Sequence, residues 1–197
     1  MKPITVLFFG SQGAGKGTQV QMLADYLKSK SDQEVIRIDM GQELRNLRDG
    51  GSLAGKLTGE VIDAGFRMPD FMPTYLQTKK LVDFFKTGEE HVIADGLARG
   101  PDQTRAYDDM MQFFKRGDDF QIISIELSEA SVVKRLLARG RNDDTEQGIR
   151  NRLGWYKTDV MPQLELLKSR GHKVHVIDGE PDAETIHKSI LAVLELQ

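Results

Sequence analysis

Short apolar runs rich in β-branched and aromatic residues alternate along the chain with longer amphipathic stretches. Five runs stand out: ITVLFFG from Ile4, EVIRI from Glu34, HVIAD from His91, FQIISIEL from Phe120 and KVHVID from Lys173. Each has the length of a strand, and each gives way to a polar or glycine-containing stretch that opens a helical period. Five near-continuous apolar strands separated by helices predict an α/β domain, a five-stranded parallel sheet with helices on both faces. In such a sheet ligands bind in the crevice outside the carboxyl ends of the strands.

Two intervals exceed a minimal alternation. Between the second and third runs, residues 41–88 hold about three helices' worth of sequence, in GQELRNLRDG, SLAGKLTGEVIDAG and DFMPTYLQTKKLVDFFKTG. This reads as a small helical insertion. Between the fourth and fifth runs, residues 129–171 read as two helices joined at ARGRNDD, a junction long enough for a mobile loop. Val132, Leu136 and Leu137 are expected to face the core there.

Chemistry enters directly after the first run. Gly10-Ser11-Gln12-Gly13-Ala14-Gly15-Lys16-Gly17-Thr18 lies between a strand and a helix. The glycines let backbone N–H groups converge on phosphate oxygens, the helix presents its positive end, and Lys16 adds a point charge. Strand before, helix after and the G-x-x-x-x-G-K spacing together indicate a nucleotide-phosphate cradle. Gly17 separates Lys16 from the hydroxyl of Thr18, whereas a hydroxyl directly after the lysine is the usual Mg²⁺ ligand.

Composition narrows the field. The chain has 197 residues, 39% of them hydrophobic, enough for one cored domain. With 27 Lys and Arg against 30 Asp and Glu, the net charge of -3 disfavours broad adhesion to nucleic acid or an anionic membrane. The absence of cysteine excludes disulfides, Cys-ligated zinc and thiol nucleophiles and suits a reducing cytoplasm. No run reaches the length of a membrane span and no targeting segment is visible, so a soluble cytoplasmic protein is expected. The four histidines, His91, His172, His175 and His187, form no metal-binding pattern.

The spelling GxxGxGKGTQ resembles the adenylate kinase family of nucleoside monophosphate kinases, and the likeness extends over nearly the whole chain. It implies a P-loop NTPase three-layer fold in a single kinase domain, with an NMP-binding insertion at 41–72 and a very short lid at 138–144. It also implies reversible transfer of the γ-phosphoryl group of Mg-ATP to AMP by a monomer, without zinc. DMGQELR lies where the family has STGDMLR, which places Arg45 on the AMP phosphate and Met40 where a threonine commonly stands near the acceptor adenine. AGFRMPD matches an AGKLVTD-like segment, so Phe66, Arg67 and Met68 would line the acceptor nucleoside. DGLAR resembles DGFPR: Asp95 would hold Mg²⁺ through water, Gly96 and Arg99 would bind AMP, and Gln103 would bond the adenine. Leu97 and Ala98 replace the usual Phe and Pro.

The run Arg135, Arg139, Arg141, Asp143 and Asp144 followed by Arg152 resembles the family's lid signature. By that resemblance Arg135 stacks on the ATP adenine, Arg139 and Arg141 reach the phosphates, and Arg152 stabilises the transferring group, with Asp143 and Asp144 orienting them. Gly13, Ala14, Gly15, Lys16, Gly17 and Thr18 would bind ATP, and Gly179 would border its adenine. Lys16, Arg139, Arg141 and Arg152 are the expected catalytic residues. Trp155 and Tyr156 read as packing residues. Met40 leaves UMP, CMP or another monophosphate open as acceptor. A nucleotide sensor that binds without transfer is the alternative from another class, and a GTPase switch is disfavoured because no NKxD-like segment is present.

Overall fold

The computed structural model describes residues 1–118, 120–140 and 144–196. All five expected runs are strands: β1 (Thr5–Phe9), β2 (Val35–Asp39), β3 (His91–Asp95), β4 (Phe120–Glu126) and β5 (Lys173–Asp178). They form one parallel sheet in the order β2-β3-β1-β4-β5. The chain moves to one side of β1 for β2 and β3 and to the other for β4 and β5. This reversal opens a crevice beyond the carboxyl end of β1.

Alternation along each strand builds two cores. Val6 and Phe8 of β1, with Ile93, Ile123, Ile125 and Ile177, face α1 (Lys16–Lys30) and α9 (Ala183–Val193). Leu7 and Phe9, with Ile36, Ile38, Val92, Ala94 and Ile122, face α4 (Phe71–Phe84), α5 (Pro101–Phe113) and α8 (Met161–Ser169). The result is the expected three-layer α/β P-loop fold. Among the described residues, no helix is long and apolar enough to cross a membrane.

The long interval between β2 and β3 holds α2 (Met40–Asp49), α3 (Leu53–Asp63) and α4. Asp39 caps α2 by accepting from the Gln42 N–H, and Ser52 caps α3 by accepting from Gly55. After β4 the structure departs from two simple helices. α6 (Glu129–Arg139) is followed by α7 (Glu146–Trp155), a π turn (Tyr156–Val160) and α8 as one almost continuous helical run. Val132 and Leu136 are buried as expected, but Leu137 faces solvent, because α6 buries a single narrow stripe against Ile149 of α7.

Register carries the site. Asp39 and Asp95 are paired at the carboxyl ends of β2 and β3, and Phe8 pairs with Asp95 beside the glycine loop. The far end of β3 is fixed by Glu90, whose carboxylate accepts from the N–H groups of Lys86, Thr87 and Gly88. Arg116 closes the same corner by donating to the Gly88 and Glu90 carbonyls. Burial pushes the Glu90 pKa up, but those N–H groups outweigh it and hold the carboxyl at about 2, against an ordinary 4.5. A depressed folded-state pKa gives stability that is complete above pH 4.5 and disappears as pH falls through 2. Glu90→Gln is therefore expected to cost about 2 kcal/mol at neutral pH. In denaturant titrations the gap between variant and parent should close as the pH falls over that window.

Candidate active site

The glycine loop leaves β1 at Gly10 and enters α1 at Lys16. Gly13 and Gly15 sit at φ +87° and +88°, left-handed values that keep successive N–H groups facing one side. α1 begins without a side-chain cap and without an acidic residue in its first turn, so its N-terminal N–H groups and positive dipole end serve the loop. Lys16 curls back under the loop and donates to the Gly10 and Ser11 carbonyls, each at 2.9 Å. Its ammonium also lies 3.9 Å from Asp95.

Around this loop is a cleft of about 740 Å³. Gly13, Gly15, Lys16, Gly17 and Thr18 form its floor, with Asp39 and Asp95 at the strand ends. The wall drawn from residues 40–103 carries Met40, Arg45, Phe66, Arg67, Met68, Gly96, Arg99 and Gln103; the wall drawn from α6 and α7 carries Arg135, Arg139 and Arg152. Nearly every residue singled out in the sequence thus reaches one space. Ala14 and Gly179 do not line it. Ala14 belongs to the core beside α1, and its N–H is bonded to the Ser11 carbonyl at 3.2 Å. Gly179 lies behind the rim, where its carbonyl accepts from Arg135 at 2.9 Å. Arg141 and Asp143 fall outside the described residues.

Asp144 organises the second wall. It accepts from Arg139 Nε and Nη2 at 2.8 and 2.7 Å and from Arg152 Nη2 at 2.8 Å, with its own side chain almost fully buried. One carboxylate thereby holds two guanidiniums toward the cleft. On the first wall, Arg45 is steadied by Gln42 at 2.9 Å. Burial pushes the Lys16 ammonium and the Arg99 guanidinium down from their usual ranges, and nearby Asp95 works against this shift in both. The Asp95 carboxyl is pushed up by burial, which Lys16 and Arg99 oppose. Such poorly hydrated positive charges gain from a polyphosphate far more than exposed ones would.

A family model described as adenylate kinase matches residues 8–172. The chain belongs to the adenylate kinase family. It is 30% identical over 189 residues to Adenylate kinase 1 of Nostoc sp., covering 96% of this chain and 97% of that one. An adenylate kinase of Leptospira biflexa is 31% identical over 190 residues, covering 94% and 97%. An adenylate kinase of Corynebacterium urealyticum is 30% identical over 190 residues, covering 96% and 98%.

Against the adenylate kinase pattern, three features on and against the first wall were not read from the sequence. Gln103 is buried, with Nε2 donating to Asp70 at 2.9 Å and Oε1 accepting from the Arg99 N–H at 3.2 Å. Asp70 also pairs with Arg67, which donates through Nε to Asp159 at 2.9 Å. Gly100 makes room for this network, since a Cβ there would meet Asp70 oxygens at 2.6 Å. The third feature is Trp155, which lines the cleft. Its helical spacing from Arg152 reads as packing in the sequence.

The loop carrying Arg99 shows what Leu97 and Ala98 change. Ala98 is fully buried at φ +52°, a left-handed value closed to proline, whose ring holds φ near -65°. Ala98→Gly should raise stability by about 1 kcal/mol by removing the Cβ penalty. Ala98→Pro, which restores the common family spelling, should lose roughly 3 kcal/mol or more. Both follow from equilibrium denaturation.

Proposed function

We propose a division of labour within the cleft for the phosphoryl transfer from ATP to AMP that membership of the adenylate kinase family assigns to this chain. The observation that carries it is the convergence of the glycine loop with two groups of arginines from separate stretches of chain, Arg45 and Arg99 on one side of β4 in the sequence and Arg135, Arg139 and Arg152 on the other. One polyphosphate needs one such group; a donor and an acceptor need both.

In this reading the backbone N–H groups of the 10–18 loop and Lys16 cradle the ATP phosphates. Arg135, anchored on the Gly179 carbonyl, supports the adenine end of ATP. Arg45 and Arg99 grip the acceptor phosphate as planar forks suited to two oxygens each. Arg139 and Arg152, aligned by Asp144, neutralise charge that spreads over the transferring group. Arg141 joins them by family resemblance. No protein nucleophile takes part: the acceptor oxygen attacks in line, and the contribution of the chain is positioning and electrostatics. Both walls close over the nucleotides to keep water from competing as acceptor.

Asp95 suits Mg²⁺. Its Oδ1 is buried without a hydrogen-bond partner, beside Lys16 and in register with Asp39. An ion carried on substrate phosphates needs only one or two carboxylates and keeps several waters. Held there, the ion would supply positive charge against the substrate phosphates. Since one chain builds the whole cleft, a monomer suffices, and the cysteine-free composition suits the cytoplasm.

One observation bears on acceptor choice. Gln103 spends one N–H on Asp70 and one lone pair on the Arg99 N–H, which fixes its amide and leaves a second donor and a second acceptor site for an adenine edge. UMP or CMP is the competing acceptor. ADP formation measured with AMP, GMP, CMP and UMP in parallel is expected to show clear AMP preference. A pyrimidine preference would overturn the acceptor assignment, and absence of ADP with all four would indicate a binding module. Lys16→Met should lower kcat by about 10²- to 10³-fold with the fold intact. Near-parental turnover in that variant would remove the lysine from the transfer step.

A further inference from the structure

The helical run after Arg152 makes an ordered set of contacts with the segment that leaves α3. Asn151 Nδ2 donates to the Ala64 carbonyl at 3.1 Å, Trp155 Nε1 to the Gly65 carbonyl at 3.1 Å, and Asp159 accepts from Arg67 Nε at 2.9 Å. Residues 151, 155 and 159 are spaced by four, and they meet successive points of the 64–67 segment. In a regular α-helix four residues overshoot a full turn by about 40°, so such a stripe drifts away from a straight partner. The π turn Tyr156–Val160 follows Trp155 directly and takes more residues per revolution, which returns Asp159 to the same face. Gly65 completes the fit. It sits at φ +75°, and a Cβ there would lie 2.8 Å from the Cα of Gly148.

Trp155 has a second role in this arrangement. The Arg99 guanidinium lies over its ring, 5.4 Å from the centroid. Among the described residues that guanidinium makes no ion pair within 4 Å and no side-chain hydrogen bond. A carboxylate partner would aim Arg99 at the expense of its charge and its donors. An aromatic face aims it and leaves the N–H groups in the guanidinium plane open to a phosphate.

We propose that Trp155 is a positioning residue for the acceptor: its ring holds Arg99 while its N–H holds the 64–67 segment, so that phosphate clamp and pocket wall keep one relative geometry. The proposal rests on the assignment of Arg99 to the acceptor phosphate. The residue touches no reacting atom; it acts through Arg99 and through the position of the wall that carries Phe66 and Met68. Its signature is therefore a change in the acceptor KM without a matching change in the ATP KM.

The test is steady-state kinetics of Trp155→Phe, Trp155→Leu and Arg99→Met, with AMP varied at saturating ATP and the converse. Trp155→Phe keeps a ring and loses the N–H, and its AMP KM should rise about fivefold. Trp155→Leu also loses the cation–π contact and should rise by roughly 10- to 30-fold, with a lower kcat. The ATP KM should stay within about twofold in both. Unchanged AMP KM values, or equal rises for both substrates, overturn the proposal. Arg99→Met separates it from its premise. A normal AMP KM in Arg99→Met removes the phosphate role of Arg99, whereas a raised value there with a normal one in Trp155→Leu overturns the role of Trp155 alone. Trp155 is the one tryptophan of the chain. Its emission in the native protein should therefore shift on saturation with AMP, which keeps the proposal testable if Trp155→Leu does not fold. A spectrum unaffected by AMP counts against it.

Discussion

Like charges held together in a place water solvates poorly are costly, and this cleft collects them. Lys16 and Arg99 are both pushed down from their usual pKa ranges by burial, and Arg139 and Arg152 share a single buried carboxylate. The fold tolerates the arrangement through Asp39, Asp95 and Asp144, which the sheet register and the start of α7 hold in place. It becomes favourable when phosphates arrive. The small net charge of -3 thus averages over a molecule that lines one crevice with Lys16 and several arginines.

The strand framework was legible because buried parallel strands need continuous apolar runs, and five such runs appear between helical stretches. The glycine loop was legible because its chemistry is local: nine consecutive residues contain the turn, the helix start and the ammonium. Arg45, Arg99, Arg139 and Arg152 were placed by resemblance to a family, and the structure brings them to the same space. Their spacing alone would have fitted a solvated helix face.

What escaped the sequence depends on residues far apart along the chain. The Arg67, Asp70, Asp159 and Gln103 network joins three parts of the chain, the segment before α4, α5 and the π turn, and each member by itself looks like an ordinary surface charge or amide. The π turn has no reliable local spelling, yet it decides which face carries Asp159. Leu137 followed the apolar pattern and is nevertheless exposed, because α6 packs chiefly through Val132 and Leu136, with Val133 partly buried beside them. Ala98 shows the reverse case. Its identity was read as a departure from the family, but only the backbone reveals that it occupies a conformation proline cannot adopt.

In the proposed division of labour the phosphate cradle is built by local sequence and the acceptor side by long-range contacts. Its central claim is that the arginine walls direct the γ-phosphoryl group to a nucleoside monophosphate and away from water. Rapid-quench measurement of ADP formed from labelled ATP, with and without AMP, tests this most directly. The account predicts fast ADP formation that requires AMP and only slow release of phosphate without it. Comparable rates of ATP cleavage in the presence and absence of AMP would contradict it.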